Sequence, residues 1–327
     1  MTNAWMTVKV ATKHTEALDV VSLDLVAVEG TELPAFSAGA HIDIEIEPGL
    51  VRQYSLCNNP LERFRYQIAV LRDERSRGGS VSLHEKVEAG QLIRISAPRN
   101  HFSLEPTAER TLLIAGGIGV TPLMCMAESL TQSHGAFEMH YCVRSQERCA
   151  FYRRIQDAPY RDRVHLYFND RPETPRFDIK ALLTRADPHA HLYVCGPAGF
   201  IDHVLDSARE AGFAEAQLHR EFFAAQSQPS ASPEDAFQIR LQRSGKTLEV
   251  PADMTIAQVL AQHDVAFELS CEQGVCGTCL TRLLEGEADH RDFFLTTAEQ
   301  TANDQIAICC SRARSPCWCW IFERQLE

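Results

Sequence analysis

Cysteines near the end of the chain have the spacing of a metal cluster. Seven of the twelve cysteines fall after residue 270, and Cys271, Cys276 and Cys279 form the pattern C-x4-C-x2-C. The adjacent pair Cys309 and Cys310 follows further along the chain. A C-x4-C-x2-C…C spacing is that of plant-type [2Fe–2S] ligation by four thiolates. The spacing predicts an iron–sulfur cluster, and by itself it leaves the fourth ligand open between the two adjacent cysteines.

Two glycines inside the cysteine pattern support this prediction. Gly274 and Gly277 let the loop curl so that backbone amides point at the sulfurs, which helps to set a cluster's reduction potential. The alternatives are a structural zinc site and plain buried cysteines. Zinc sites usually pair two C-x2-C knuckles, so the x4 gap and the single distant fourth cysteine fit zinc poorly.

A second group of residues is suited to a phosphate and a flat aromatic ring. The R-Q-Y-S run at residues 52–55 ends a predicted strand. Arginine binds phosphate through two nitrogens, tyrosine lies against a ring, and serine hydrogen-bonds a ring nitrogen. The R-G-G-S run at residues 77–80 precedes a predicted helix, whose first N–H groups favour an anion. Together they indicate a flavin site. The alternative interpretations are an ordinary strand end and a simple glycine turn.

Two further turns are typical of a nucleotide site. An apolar strand ends in glycines at residues 116–119 and leads into a helical pattern, without the full G-x-G-x-x-G fingerprint. The C-G-P run at residues 195–197 repeats this arrangement. Ligands bind at the carboxyl ends of parallel strands, where a thiol could lie against a nicotinamide. The alternatives are a plain strand-to-helix turn and a buried strand cysteine.

The elements that must position these residues fall into three groups. Short strands fill the first hundred residues, which predicts an antiparallel barrel or sandwich. Strands then alternate with helical segments, which predicts a parallel α/β sheet. A small, polar, proline-containing stretch precedes a strand hairpin, a helix and the cysteine pattern. We expect domains at residues 1–104, 105–226 and 237–327, with a linker at 227–236.

The composition excludes several other classes. The 327 residues are 45% apolar and 23% charged, with a net charge of −12, which is typical of a globular protein of two or three domains. An acidic chain is repelled by nucleic acid and by anionic membranes. The chain has neither a spanning apolar run nor a signal peptide, so we expect a cytoplasmic protein. Its histidines are scattered without ligand spacing, which favours solvated or core roles over metal binding.

The motifs R-x-Y-S, G-G-x-G-x-T-P and C-G-P, in this order, resemble those of the ferredoxin–NADP reductase superfamily. With a C-terminal unit that resembles a plant-type ferredoxin, nearly the whole chain is similar to the phthalate dioxygenase reductase family, which includes vanillate demethylase reductases. The resemblance implies a flavin-binding β-barrel, a parallel α/β nucleotide domain and a β-grasp-like [2Fe–2S] domain. It also implies FMN rather than FAD, NADH as donor, a monomer, and a Rieske-type oxygenase of aromatic compounds as partner.

The resemblance assigns site residues through matching positions. Within the "ICCSRARS" segment the family's cluster ligand falls on Cys309. The positions that match flavin contacts are Arg52, Gln53, Tyr54, Ser55, Ala69, Val70, Leu71, Arg77, Gly78, Gly79, Ser80, Thr121 and Phe223. The positions that match nicotinamide dinucleotide contacts are Gly116, Gly117, Gly119, Pro122, Asp170, Cys195, Gly196 and Pro197. In catalysis, Ser55 is expected to hydrogen-bond near flavin N5 and Cys195 to shape the nicotinamide site.

The sequence leaves the choice between NAD and NADP, and several rival functions, open. Asp170 could accept a ribose hydroxyl and so favour NAD, whereas Arg144 and Arg171 could hold the 2′-phosphate of NADP. Rival functions are a free-standing flavin or quinone reductase, a ferredoxin-type electron carrier and a zinc-stabilised interaction module. The chain also departs from the family at its end, where Cys317 and Cys319 alternate with tryptophans in place of a short aliphatic strand.

Overall fold

The computed structural model describes residues 5–74, 78–171, 173, 176–224 and 235–314, and the backbone of 319–321. The chain divides into two compact units, of which the larger is Asn3–Phe223 and the smaller contains Ala224–Glu327. The three expected domain boundaries stay a prediction. Among the described residues, no helix is long and apolar enough to cross a membrane.

The larger unit begins with an antiparallel sheet in the order β4-β3-β6-β1-β2-β5, with β7 paired to β3. Its strands are β1 (Trp5–Ala17), β2 (Val20–Ala27), β3 (Ala40–Glu47), β4 (Leu50–Ser55), β5 (Tyr66–Leu71), β6 (Leu92–Ser96) and β7 (Arg99–Asn100). Helix α1 (Gly79–Lys86) connects β5 to β6. A bridge between Leu56 and Ile68, and a 2.9 Å hydrogen bond from the Cys57 N–H to the Gln67 carbonyl, join the two ends of the sheet. The sheet therefore closes into the predicted barrel.

The barrel strands form because apolar residues alternate along them. In β1, Val8 and Val10 are fully buried while Lys9 between them is exposed. This period of two places one face of each strand in the barrel core and the other in solvent.

The second half of the larger unit is a parallel sheet in the order β10-β9-β8-β11-β12. Its elements are β8 (Arg110–Gly116), α2 (Val120–Gln132), β9 (Ala136–Val143), α3 (Tyr152–Asp157), β10 (Val164–Phe168), α4 (Ile179–Arg185), β11 (His191–Cys195), α5 (Ala198–Glu210) and β12 (Leu218–Glu221). Residues 111–116 of β8 are buried without alternation, as expected for a central strand covered on both faces. The predicted parallel α/β sheet is confirmed.

The barrel and the parallel sheet share a hydrophobic core. Val20, Ala38 and Cys57 of the barrel half belong to the same buried cluster as Leu123 and Met124 of α2. The two halves of Asn3–Phe223 therefore bury apolar surface against each other, which holds the ends of the barrel strands in a fixed position relative to the turns of the parallel sheet.

The smaller unit has a mixed sheet in the order β14-β13-β19-β15-β17 and a separate pair β16-β18. Its elements are β13 (Phe237–Leu241), β14 (Thr247–Val250), α6 (Ile256–Gln262), β15 (Leu280–Glu285), β16 (Ala288–Asp289), α7 (Thr297–Ala302), β17 (Gln305–Ala307), β18 (Arg312–Ala313) and β19 (Cys319–Ile321). Helix α6 begins with a capping box between Thr255 and Gln258. The cysteine pattern lies in the loop between α6 and β15. Cys317 lies outside the described residues.

Candidate functional site

The R-Q-Y-S run occupies the end of β4, as the sequence predicts. Arg52 crosses the start of α1: a Cβ added at Gly79 would lie 2.6 Å from its Cγ and 2.7 Å from its Nε. The N-cap residue Gly78 has φ 80° and gives α1 no side-chain cap. A guanidinium beside an uncapped helix N-terminus is suited to a phosphate group. Arg77 lies outside the described residues.

The other predicted flavin residues lie around this strand end. Ala69 and Val70 of β5 are buried and Leu71 is half-buried, on the strand that closes the barrel next to residue 56. The Ser80 hydroxyl accepts a hydrogen bond from the Asp73 N–H at 3.1 Å. Ser80 thus holds the end of the loop between β5 and α1.

The glycine turn after β8 is in close contact with the turn after β11. A Cβ at Gly119 would lie 2.2 Å from the Cys195 carbonyl oxygen, so only glycine lets the two turns approach this closely. A Cβ at Gly116 would meet Phe200 and Pro197 at 2.9–3.0 Å. The carboxyl ends of β8 and β11 therefore form one narrow edge made largely of backbone.

The two polar side chains predicted on this edge are both buried. The Thr121 hydroxyl, in the first turn of α2, donates to the Ile118 carbonyl at 3.1 Å. Pro122 follows it in the helix. Burial raises the pKa of Cys195 well above its usual value, and Glu221, which is ionised at high pH, raises it further. A neutral, fully buried thiol is a poor nucleophile, which agrees with a role in shaping the site.

Glu221 is a site residue that the sequence analysis missed. It is the last residue of β12, and its carboxylate accepts a 3.1 Å hydrogen bond from the Ser55 hydroxyl at the end of β4. Burial raises the pKa of Glu221 to about 8, against a smaller lowering by the Ser55 hydrogen bond. The sequence feature that could have indicated Glu221 is its position at the carboxyl end of a parallel strand. That position does not identify a site residue by itself, because the sequence does not show which barrel residue lies opposite Glu221.

The predicted site residues do not all meet at one place. Ser55, Cys195 and Glu221 come together where the barrel strand end meets β11 and β12. Phe223 follows two residues later and is 40% exposed, so a flat face is available beside them. Asp170 is exposed, beyond the end of the edge strand β10, which β9 separates from β8. Asp170 is therefore not part of the group formed by Ser55, Cys195 and Glu221.

Two arginines lie near Asp170, one joined to it through its backbone and the other held through its side chain. The Arg144 carbonyl accepts from the Asp170 N–H at 3.0 Å. Arg171 donates to the Gln146 side chain at 2.6 Å and lies over the Phe168 ring. Loop residues of positive and negative charge therefore lie together. The choice between NAD and NADP stays a prediction.

The cysteines of the smaller unit converge as the spacing predicts. Cys271, Cys276, Cys279 and Cys309 are all buried. Hydrogen bonds from Cys276 and Cys309, reinforced by backbone N–H groups, hold the pKa of Cys271 far below its usual value. The Gln273 and Thr278 N–H groups donate to the sulfurs of Cys271 and Cys276 at 3.4 Å. Four thiols in mutual contact, facing backbone amides, fit the donor set of a [2Fe–2S] cluster.

The two adjacent cysteines have different surroundings. Cys309 hydrogen-bonds with Cys271 and Cys279, which raises its pKa because those sulfurs take the negative charge. The Cys310 sulfur lies against Gly274, only 2.5 Å from where a Cβ would be. This arrangement favours Cys309 as the fourth ligand.

Comparison with known proteins agrees with these features. Residues 239–314 match the 2Fe-2S iron-sulfur cluster binding domain, and residues 113–206 match the oxidoreductase NAD-binding domain. Vanillate O-demethylase oxidoreductase of Pseudomonas putida is 52% identical, over 94% of this chain and 96% of that protein. Phthalate dioxygenase reductase of Burkholderia cepacia is 37% identical, over 96% of each chain.

Solved structures give the same result. A phthalate dioxygenase reductase, described as a modular structure for electron transfer from pyridine nucleotides to [2Fe–2S], has a TM-score of 0.73 and 36% identity and covers 98% of both chains. An intact type IV self-sufficient cytochrome P450 monooxygenase has a TM-score of 0.86 and 36% identity. The match covers 97% of this chain but 41% of that longer one.

The fold and the site define an iron–sulfur flavoprotein oxidoreductase with an NAD-binding domain. Within that class, this chain belongs to the family of oxygenase reductases that contains the vanillate O-demethylase oxidoreductases and phthalate dioxygenase reductase. The family predicted from the order of the sequence motifs is confirmed.

Proposed function

We propose that this chain is the NADH-dependent reductase of a two-component, Rieske-type oxygenase of aromatic compounds. It would pass electrons from NADH through FMN and a [2Fe–2S] cluster to that separate partner. Three relatives that are 43–52% identical are all vanillate O-demethylase oxidoreductases. A relative at 41% is the carnitine monooxygenase reductase subunit of Escherichia coli. The identities favour an aromatic acid as the partner's substrate.

The observation that carries the proposal is the hydrogen bond between Ser55 and Glu221. It joins the end of the β4 strand, with its phosphate-suited arginine, to the end of β12, which lies beside Cys195 of β11. A ring held at Ser55 would therefore face a ring held at the turns after β8 and β11. Hydride transfer needs two such rings in contact and no separate acid or base.

The residues of this chain have distinct parts in the proposed reaction. Bound FMN would supply the conversion of a two-electron donor into one-electron steps. Arg52 and the start of α1 would hold its phosphate, and Ser55 would orient its ring. The buried, neutral Cys195 would limit water at the nicotinamide. Four thiolates, with Cys309 as the fourth, would hold the cluster that delivers single electrons.

An anaerobic absorption spectrum before and after adding NADH tests the proposal, with the wild type and a Cys279→Ser variant. In the wild type we expect flavin and iron–sulfur bands that both bleach with NADH. In the variant we expect flavin bands alone, which still bleach, with loss of electron transfer to a one-electron acceptor such as cytochrome c. Acid extraction and chromatography should release FMN.

Three outcomes would contradict the proposal. Bleaching of flavin without any iron–sulfur contribution in the wild type would identify a free-standing flavin reductase. Iron–sulfur bands without flavin would identify an electron carrier, and a colourless protein with stoichiometric zinc would identify an interaction module. Faster bleaching with NADPH than with NADH would overturn the choice of donor alone.

A further inference from the structure

A group of three potential metal ligands lies apart from the redox site, on the parallel sheet. Among the described residues, Glu138 and His140 of β9 and His165 of β10 place their ligand atoms within 4.8 Å of one another. The parallel register pairs His140 directly with His165. The alternation of β9 directs Glu138 and His140 away from the face on which Met139 packs into the core.

A buried nitrogen of His140 indicates that this group binds a ligand. The His140 side chain is fully buried, and its Nε2 atom has no hydrogen-bond partner. Oε2 of Glu138 lies 3.6 Å from it, beyond hydrogen-bonding distance. A metal ion bound at this nitrogen would satisfy it.

Hydrogen bonds from neighbouring residues orient His140 and Glu138. Nδ1 of His140 is 3.0 Å from the Tyr167 hydroxyl. Oε1 of Glu138 accepts from Arg110 at 2.7 Å, so Oε2 is left facing His140. Metal-binding histidines and carboxylates are usually oriented by such outer hydrogen bonds, which fix the ligating atom.

The distances suit a small tetrahedral ion. Two ligands on tetrahedral bonds of about 2.1 Å are roughly 3.4 Å apart, close to the 3.6 Å between His140 Nε2 and Glu138 Oε2. The His165 ring is stacked on His140 at 4.9 Å and is exposed, so it can rotate to turn a nitrogen toward them. The exposed side of the group gives an ion and its remaining water ligand a way in.

We propose that Glu138, His140 and His165 form a binding site for a divalent transition-metal ion, with Zn²⁺ as the expected occupant. Two imidazoles, one carboxylate and an open position are a donor set that zinc takes readily. The ion would join the edge strand β10 to β9.

The test is zinc binding by the full-length protein with its iron–sulfur cluster loaded, measured by competition with a chromogenic chelator after any tag is removed. Four proteins are compared: wild type, His165→Gln, Glu138→Gln and the matched control His203→Gln, which removes an exposed histidine of α5. We expect one tightly bound zinc per wild-type chain and the same in the control. Either ligand variant should bind zinc more than about tenfold more weakly.

Zinc X-ray absorption identifies the ligands independently of activity. Nitrogen and oxygen scatterers near about 2.0–2.1 Å support the site, whereas sulfur near about 2.3 Å would assign the zinc to cysteines and overturn the proposal. The proposal is also overturned if the wild type binds no zinc. The same holds if the ligand variants bind like the wild type, or if His203→Gln loses zinc equally, which would indicate unspecific binding to surface histidines.

Discussion

At the scale of single residues, the carboxyl group of Glu221 is the most unusual feature of the redox site. Glu221 is half-buried at the junction of the barrel and the parallel sheet, and the Ser55 hydroxyl donates to its carboxyl oxygen. Removal from water penalises the charged form, so the pKa rises from 4.5 to about 8. The group is therefore largely protonated near pH 7 when the site is folded.

Glu221 should make stability depend on pH. Between pH 4.5 and about 8 the folded chain keeps a proton at Glu221 that the unfolded chain has lost, so this group's stabilisation falls as pH rises and is lost above pH 8. Glu221→Gln should match the wild type at pH 5. At pH 9 it should be more stable by at most about 5 kcal/mol, because each pKa unit corresponds to about 1.4 kcal/mol.

Calorimetric unfolding at the two pH values measures this difference. Glu109→Gln, which changes an exposed carboxylate, serves as the control and should show no such pH dependence. Infrared spectroscopy should show a protonated carboxyl band that disappears near pH 8 and is absent from Glu221→Gln. An equal stability change at pH 5 and pH 9 would show that the pKa is not raised.

At the scale of elements, the cluster loop depends on glycines in the left-handed region. Gly274 has φ +70°, and a Cβ there would lie 2.5 Å from the Cys310 sulfur and 2.9 Å from the Asp292 Cα. Asp292 is itself fixed, because its buried carboxylate accepts from the Leu295 N–H at 2.8 Å. The loop therefore cannot move away from an added methyl group without shifting backbone.

Gly274→Ala should reduce cluster content. The matched control is Gly245→Ala, in the turn between β13 and β14, since Gly245 has φ +69° and no atom within 4 Å of an added Cβ. Both changes cost about 1–2 kcal/mol in backbone strain, and only Gly274→Ala adds the steric clash. Iron and sulfide analysis should show a full cluster in Gly245→Ala and a large loss in Gly274→Ala. Equal iron contents would contradict this explanation.

At the scale of the whole molecule, the shared core of the barrel and the parallel sheet decides which fragments can fold. Val20, Ala38, Cys57, Ala69 and Phe102 of the first half belong to the cluster that α2 completes. A chain cut at residue 104 would expose this apolar surface. A cut at 224 falls at the division between the two compact units.

A fragment of residues 1–224 should therefore fold cooperatively and keep its flavin, whereas a fragment of residues 1–104 should not, because it would leave its share of the core in water. Circular dichroism melting curves and the flavin-to-protein ratio measure both properties. The 1–224 fragment should oxidise NADH with ferricyanide and fail to reduce cytochrome c at the rate of the full chain. A cooperative, flavin-binding 1–104 fragment would contradict the shared-core argument.

The sequence alone determined the features that depend on local spacing. The C-x4-C-x2-C pattern predicted the converging thiols, and the alternation in β1 and the continuous apolar run of β8 predicted the barrel and the parallel sheet. The glycine turns were recognised because close backbone approach excludes side chains. The order of these motifs identified the family, which the comparisons confirm.

Only the tertiary structure decided which distant residues meet. Glu221 reaches Ser55 because a strand end of the parallel sheet faces a strand end of the barrel, and no local pattern records that pairing. The parallel register likewise brings His140 beside His165, although the sequence indicated scattered histidines without ligand spacing. Side-chain periodicity fixes which face of a strand a residue occupies, whereas its neighbours across the sheet depend on strand order and register, which the whole fold sets.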